Sequence, residues 1–151
     1  MKRNKIYFLL LLAMALMASP KLYAQKDLQI SKVFEEYGKM KGVVMVELTD
    51  EVLGNYNFTL FKSITIKNNP NASKFIRECL KRDESGAKKI KQVFTNGIPT
   101  SIYLQLPRNG KDNRLILFNE SKTPTNQITL IYIETPSDTE DVLKLLLKKN
   151  N

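Results

Sequence analysis

Hydrophobic and polar residues alternate along three segments in the C-terminal half of the chain, a pattern that is typical of β-strands. The three segments are 101–106, 114–118 and 127–133. The connectors at 107–112 and 119–124 contain asparagine and proline, which favour turns. The pattern therefore predicts an antiparallel meander, and we expect the rest of the chain to pack against it or beside it.

Two further strands are predicted before the meander, at 43–48 and 59–66. The first of these runs is nearly all apolar and suits an inner strand that is covered on both faces. Residues 88–94 fit either a helix or a strand. The Asn-Gly pair that follows them favours a strand that enters a hairpin with the first strand of the meander.

Apolar residues at helical spacing predict three helices. The first covers 27–41, the second is centred on 72–80, and the third begins near Ser137, which has capping-box spacing to Glu140. A short helical turn is also expected through Leu53. These elements together predict an α+β fold, with a mixed, mainly antiparallel sheet of about five or six strands and helices mainly on one face.

Both faces of this sheet carry large apolar side chains, because successive residues of a strand point to opposite faces. Three helices are not expected to cover both faces of so wide a sheet. Either loops and the segment around Tyr56 and Phe58 cover the remainder, or the open face binds a partner, a second copy or an apolar ligand. The sequence leaves open which face meets the helices. The candidate partner-binding residues are Tyr103, Gln105, Arg114, Ile116 and Phe118.

The N-terminus is typical of a secretory signal peptide. Met1–Lys5 is basic, Ile6–Ala18 is apolar and uncharged, and Ala24 is a small residue at a cleavage site. At about 1.5 Å per residue the apolar run is too short to cross a hydrocarbon core of about 30 Å. We therefore expect residues 1–24 to be removed, residues 25–151 to form one domain, and no stable membrane anchor to remain. The expected location is the periplasm or the extracellular space.

Loss of the N-terminal segment also changes the charge of the chain. The formal net charge falls from +9 to +5, because the segment carries four basic residues and no acidic one. The basic residues between 74 and 91 are typical of a solvated helix face, and an anionic membrane surface or an acidic partner is the alternative. An exported protein is not expected to bind nucleic acid.

The residue types needed for common catalytic sites are scarce. There is no histidine, which excludes Ser-His and Cys-His pairs and the commonest metal ligand. Cys79 is the single cysteine and lies on the apolar stripe of its helix, where we expect it to be buried. Adjacent carboxylates such as Asp83 and Glu84 are expected to lie on a solvated surface or at a helix N-terminus. No catalytic, cofactor-binding or metal-binding residue is predicted, and no cofactor.

Two carboxylates stand apart, because Glu47 and Glu134 lie within or at the end of apolar strands. A partly buried carboxylate there could act as an acid or a base. Pairing with a cation such as Arg114, or a position at the sheet edge, explains them more simply.

Several segments carry a family resemblance: 23–25, 33–38, 42–46, the helix around 75–80, and 128–134. They resemble small exported proteins of the Bacteroidetes that belong to families of domains of unknown function. The resemblance implies a location in the bacterial envelope and an α+β fold. It implies no active-site residues for this chain.

The function that we expect is a non-enzymatic envelope protein that binds another protein or an apolar ligand through its sheet. A homodimer is a further expectation for the open sheet face. The alternative is a small hydrolase that uses carboxylates around Glu47 or Glu134.

Overall fold

A computed structural model of the protein describes residues 27–49, 53 and 56–148. The predicted signal peptide and most of the turn predicted before Leu53 lie outside the described residues. The described elements, in chain order, are α1 (Ser31–Tyr37), β1 (Val44–Thr49), β2 (Leu60–Lys67), α2 (Pro70–Glu84), β3 (Lys89–Thr95), β4 (Ile98–Asn109), β5 (Asp112–Ser121), β6 (Gln127–Thr135) and α3 (Thr139–Lys148).

The six described strands form one sheet in the order β1-β2-β6-β5-β4-β3, and every pair of neighbours is antiparallel. The structure confirms an α+β fold in a single domain, although the sheet dominates and the helices are few. The prediction of a mixed sheet is wrong. In four of the five neighbouring pairs the two strands are consecutive in sequence, and short connections favour antiparallel pairing. The fifth pair is β2 with β6, and β6 is antiparallel to both of its neighbours, β2 and β5.

β1 lies at an edge of the sheet, where the sequence predicted an inner strand. Among the described strands it pairs with β2 alone, and Val44 is 63% exposed. Its apolar composition was misleading, because only Met45 and the partly buried Leu48 pack against the two cores of the domain.

The segment that fitted either a helix or a strand is the strand β3. Asn96 and Gly97 connect it to β4 with φ of 52° and 76°, the left-handed conformation that a tight hairpin turn requires. Asparagine and glycine tolerate this conformation better than other residues, which is why the pair was informative.

The first core lies between the sheet and helices α1 and α2. Asn69 caps α2 by accepting the backbone N–H of Ala72 at 2.9 Å, and Cys79 is buried as predicted. The largest fully buried side chains of this core are Tyr132, Phe118, Ile30, Ile64, Ile66, Ile76, Leu80, Leu104, Ile116, Ile128 and Leu130.

A second, smaller core lies on the opposite face of the same sheet. Helix α3 covers it together with Leu53 and Phe58, so the helices are divided between the faces, two on the first and one on the second. The expectation that the segment around Phe58 covers part of this face is confirmed. The buried members are Leu53, Phe58, Tyr103, Leu115, Ile133 and Val142. Across the described ranges, every helix is too short or too polar to span a membrane.

Candidate ligand-binding groove

The antiparallel register arranges side chains in rows across the second face of the sheet. One row is polar and consists of Ser101 on β4, Asn119 on β5, Thr129 on β6 and Thr65 on β2. The neighbouring row is apolar over three strands and consists of Tyr103, Leu117 and Ile131. The face therefore changes from polar to apolar over the distance between two rows.

Helix α3 covers this apolar row only in part and leaves a groove of about 650 Å³. Leu143 and Leu146 line it from α3, and Lys91 and Val93 line it from the edge strand β3. Both leucines are only partly buried, as are Leu117 and Ile131 in the sheet. The volume falls in the range of about 300–1,000 Å³ that is usual for small-molecule sites.

Lys91 is the one charged residue among the described residues that line the groove. Its Nζ lies 3.3 Å from Glu140 Oε2 on α3 and 5.7 Å from the centroid of the Tyr103 ring. Both charged side chains are more than 40% exposed, so solvent screens the ion pair and it contributes little to stability. The ion pair nevertheless connects α3 with β3 beside the groove, and Glu140 balances the charge of Lys91.

The polar row is itself ordered by hydrogen bonds. Ser101 Oγ donates to Asn119 Oδ1 at 2.8 Å, which fixes the orientation of the amide. Asn119 and Thr129 are register partners on neighbouring strands. Hydroxyl and amide groups of this kind offer donors and acceptors without charge.

The structure does not bring the five candidate partner-binding residues to one face. Tyr103 and Gln105 point to the second face, and Tyr103 lines the groove. Arg114, Ile116 and Phe118 belong to the first face, beneath α1 and α2, and all three are buried. The grouping is wrong because Tyr103 pairs with Leu117, and paired residues point to the same face. Ile116 and Phe118, on either side of Leu117, therefore point to the opposite face.

The register between β4 and β5 decided this outcome and was not readable from the sequence. The pairing shifts between Leu106 and Asn109, close to the turn that connects the two strands. An irregularity of one residue exchanges the two faces of a strand, because side chains alternate with a period of two.

The two carboxylates of the hydrolase alternative lie on the first face, away from the groove. Glu47 is exposed on β1, with its Oε2 3.3 Å from Lys62 Nζ. Glu134 is buried, accepts a hydrogen bond from the Tyr132 hydroxyl at 2.7 Å, and lies opposite Arg114 in the register. Burial, together with this hydrogen bond to Glu134, raises the pKa of Tyr132 far above its ordinary value. The position at the sheet edge expected for such carboxylates is confirmed for Glu47.

A polar cluster that the sequence did not indicate joins α1 to the end of α2. Asp83 is buried and accepts the backbone N–H groups of Gln29 at 2.8 Å and Ile30 at 3.0 Å. Burial raises the pKa of Asp83, and the two hydrogen bonds oppose that rise. Nearby, Arg114 Nη1 lies 3.0 Å from Asp27 Oδ2. The expectation of a solvated surface is wrong for Asp83, since its side chain is buried and accepts the two backbone N–H groups that lie just before α1.

Within the described ranges, no group of three histidine, cysteine, aspartate or glutamate side chains could hold a metal ion. The residues that line the groove from α3 were missed by sequence reasoning. Their apolar spacing predicted the helix, but nothing in that spacing indicates on which face of a sheet the helix packs.

Comparison with known proteins gives a family and no assigned activity. A search of curated proteins finds no significant match to this chain. The sequence profile of one family matches residues 17–146, which is most of the chain. The chain therefore belongs to DUF6108, a family of unknown function.

Proposed function

We propose that this protein is a non-enzymatic binding module whose groove on the second sheet face binds an apolar ligand that carries an uncharged polar group. The observation that carries the proposal is the juxtaposition, in one groove, of an apolar row and an ordered polar row. From the character of its N-terminal sequence, we further propose that it acts in the periplasm or outside a bacterial cell.

The apolar part of the groove supports a hydrophobic ligand because its walls are incompletely buried. Leu117, Ile131, Leu143 and Leu146 all pack against the second core, yet each keeps part of its side chain accessible. Burying such surface contributes about 25 cal/mol per Å². A hydrocarbon chain or an aromatic ring that fills the groove would remove this surface from water on both walls at once.

The polar row supports a neutral head group on the same ligand. Ser101, Asn119 and Thr129 present hydroxyl and amide groups and no charge, and the charge of Lys91 is balanced by Glu140. These groups suit a hydroxyl, amide or ester on the ligand. An ionised head group would find no opposite charge in the polar row.

The first test is binding of a neutral hydrophobic dye, Nile red, to the chain from Gln25 onward, which contains every described residue. The matched pair is Leu146→Gln, in the groove wall, and Leu145→Gln, on the same helix but outside the residues that line the groove. We expect Leu146→Gln to weaken dye binding about tenfold, equivalent to about 1.4 kcal/mol, and Leu145→Gln to leave it unchanged.

Both variants are first checked for native circular dichroism and thermal stability, so that loss of binding is not loss of fold. Equal affinities of the two variants, or a wild-type chain that binds neither the dye nor neutral single-chain amphiphiles, would contradict the proposal. Glu134→Gln, on the opposite face, should keep the dye affinity of the groove, and loss of a hydrolytic activity in this variant would favour the hydrolase alternative.

A further inference from the structure

The two edges of the sheet differ in how they resist pairing with another strand. β3 carries the exposed Lys91 and has a register irregularity between Val93 and Phe94, and both features hinder strand addition. β1 has no proline, no lysine and no irregularity over its whole length. Among the described residues, no strand lies on its outer side.

The side chains of β1 also lack the usual protection. Val44 is 63% exposed and Val46 is 37% exposed, and both share the second face with Leu48. The one charged residue of the strand, Glu47, is held toward β2 by Lys62. An exposed apolar edge of this kind is a template for another strand.

We propose that β1 pairs antiparallel with β1 of a second copy, so that two six-stranded sheets join into one across a twofold axis. Partners in an antiparallel pair point to the same face, so the axis must pass through a residue position and not between two residues. Centred on Val46, the axis pairs Val46 with its own equivalent, Val44 with the second copy's Leu48, and Met45 with the second copy's Glu47.

This register is the one that the composition of β1 favours. It aligns the three apolar residues of the second face with one another, which makes the strand self-complementary. Centring the axis on Glu47 would place two carboxylates directly opposite each other, which destabilises a strand pair. Centring it on Met45 would require Gly42, whose φ of 81° lies outside extended conformation, to join the pairing.

The self-complementary row favours a second copy as the occupant over an unrelated strand. Each Glu47 keeps its Lys62 partner in this arrangement, so the approach of the two copies leaves no carboxylate unpaired. A contact made by one short strand is smaller than the roughly 800 Å² per partner of a standard interface. The dimer is therefore reversible, and its population rises with protein concentration.

The test is the molar mass of the chain from Gln25 onward, measured by sedimentation from micromolar to millimolar concentration. We expect the mass to rise toward twice the monomer value. Val46→Lys, which places two ammonium groups opposite each other at the axis, should give a monomer throughout. Phe94→Lys is the matched control, an exposed apolar residue on the opposite edge strand that does not line the groove, and it should dimerise like wild type.

Cysteine cross-linking tests the register itself. Oxidation of the Val46→Cys variant should give a covalent dimer, whereas Val44→Cys should not, because Val44 lies opposite Leu48 of the second copy. The native Cys79 is buried and does not interfere. A wild-type chain that stays monomeric, a Val46→Lys variant that still dimerises, or equal cross-linking of the two cysteine variants would overturn the proposal. Val46 does not line the groove, so none of these results depends on dye binding.

Discussion

Arg77 connects helix α2 with two separate strands through one guanidinium group. It donates to the Pro99 carbonyl oxygen at 2.7 Å and pairs with the carboxylate of Glu120 on β5. Glu120 is buried and also accepts hydrogen bonds from Ser73 and Asn126, each at 3.0 Å. Burial alone would raise the pKa of Glu120, but these hydrogen bonds, with that from Arg77 foremost, outweigh it and lower the pKa.

A lowered pKa in the folded state makes Glu120 a source of pH-dependent stability. The stabilisation is fully present above the ordinary value of 4.5 and is lost as the pH falls through the folded pKa. We expect Glu120→Gln to lower the free energy of unfolding by about 2 kcal/mol at neutral pH, because a charge-assisted hydrogen-bond network is lost. Urea denaturation at a series of pH values measures this.

Glu78→Gln, on the exposed side of α2, is the control for this prediction and should change stability little. The difference between Glu120→Gln and wild type should begin to shrink below about pH 4.5, where the unfolded chain takes up the proton, and should vanish only below the lowered folded pKa, where the native carboxylate is protonated as well. A difference that stays constant in acid would show that the Glu120 charge does not stabilise the fold.

Among the elements, α3 is held less firmly than α2. Helix α2 buries Ala72, Ile76, Cys79 and Leu80 against the first core, whereas Val142 is the one buried apolar side chain among those described in α3. Few buried contacts allow an element to open locally without unfolding the rest of the domain.

We therefore expect the amide hydrogens of α3 to exchange at least about tenfold faster than those of the middle of α2. Hydrogen exchange read out by mass spectrometry on peptides from the two helices measures this. Addition of the dye that fills the groove should slow exchange in α3 and leave α2 unchanged. Equal protection of the amide hydrogens in both helices would mean that α3 does not open locally and is as stable as α2.

Most elements could be predicted from the sequence, because each depends on a local pattern. Alternation indicated the meander, and the Asn-Gly turn decided β3. The edge position of β1, the face covered by α3 and the hydrogen bonds of Asp83 to the turn before α1 could not be predicted, since each depends on residues distant in sequence. The same applies to the groove, which exists only because the register places Leu117 beside Tyr103.

At the scale of the whole molecule, one sheet serves two cores. Leu115 and Ile116 are adjacent on β5 and fully buried, yet Leu115 belongs to the second core and Ile116 to the first. The backbone hydrogen bonds of β5 are common to both cores. Loss of packing in the core on one face therefore also destabilises the core on the other face.

We expect Leu115→Ala and Ile116→Ala each to lower the free energy of unfolding by about 3 kcal/mol. Each variant should unfold in a single transition that coincides by far-UV and near-UV circular dichroism, since the shared sheet makes the domain cooperative. Val93→Ala, at an exposed position, is the control and should change little. A separate, earlier transition in Leu115→Ala would indicate that the second core unfolds independently.

The position of β6 has a consequence for synthesis of the chain. It is the last of the described strands in sequence, but it lies between β2 and β5 near the middle of the sheet. While the ribosome is still translating, the hairpin of β1 and β2 and the hairpins of β3 to β5 have no strand to join them. Non-local pairing of this kind is slow to form. The sheet therefore cannot be completed until Gln127–Thr135 is free to pair with both β2 and β5.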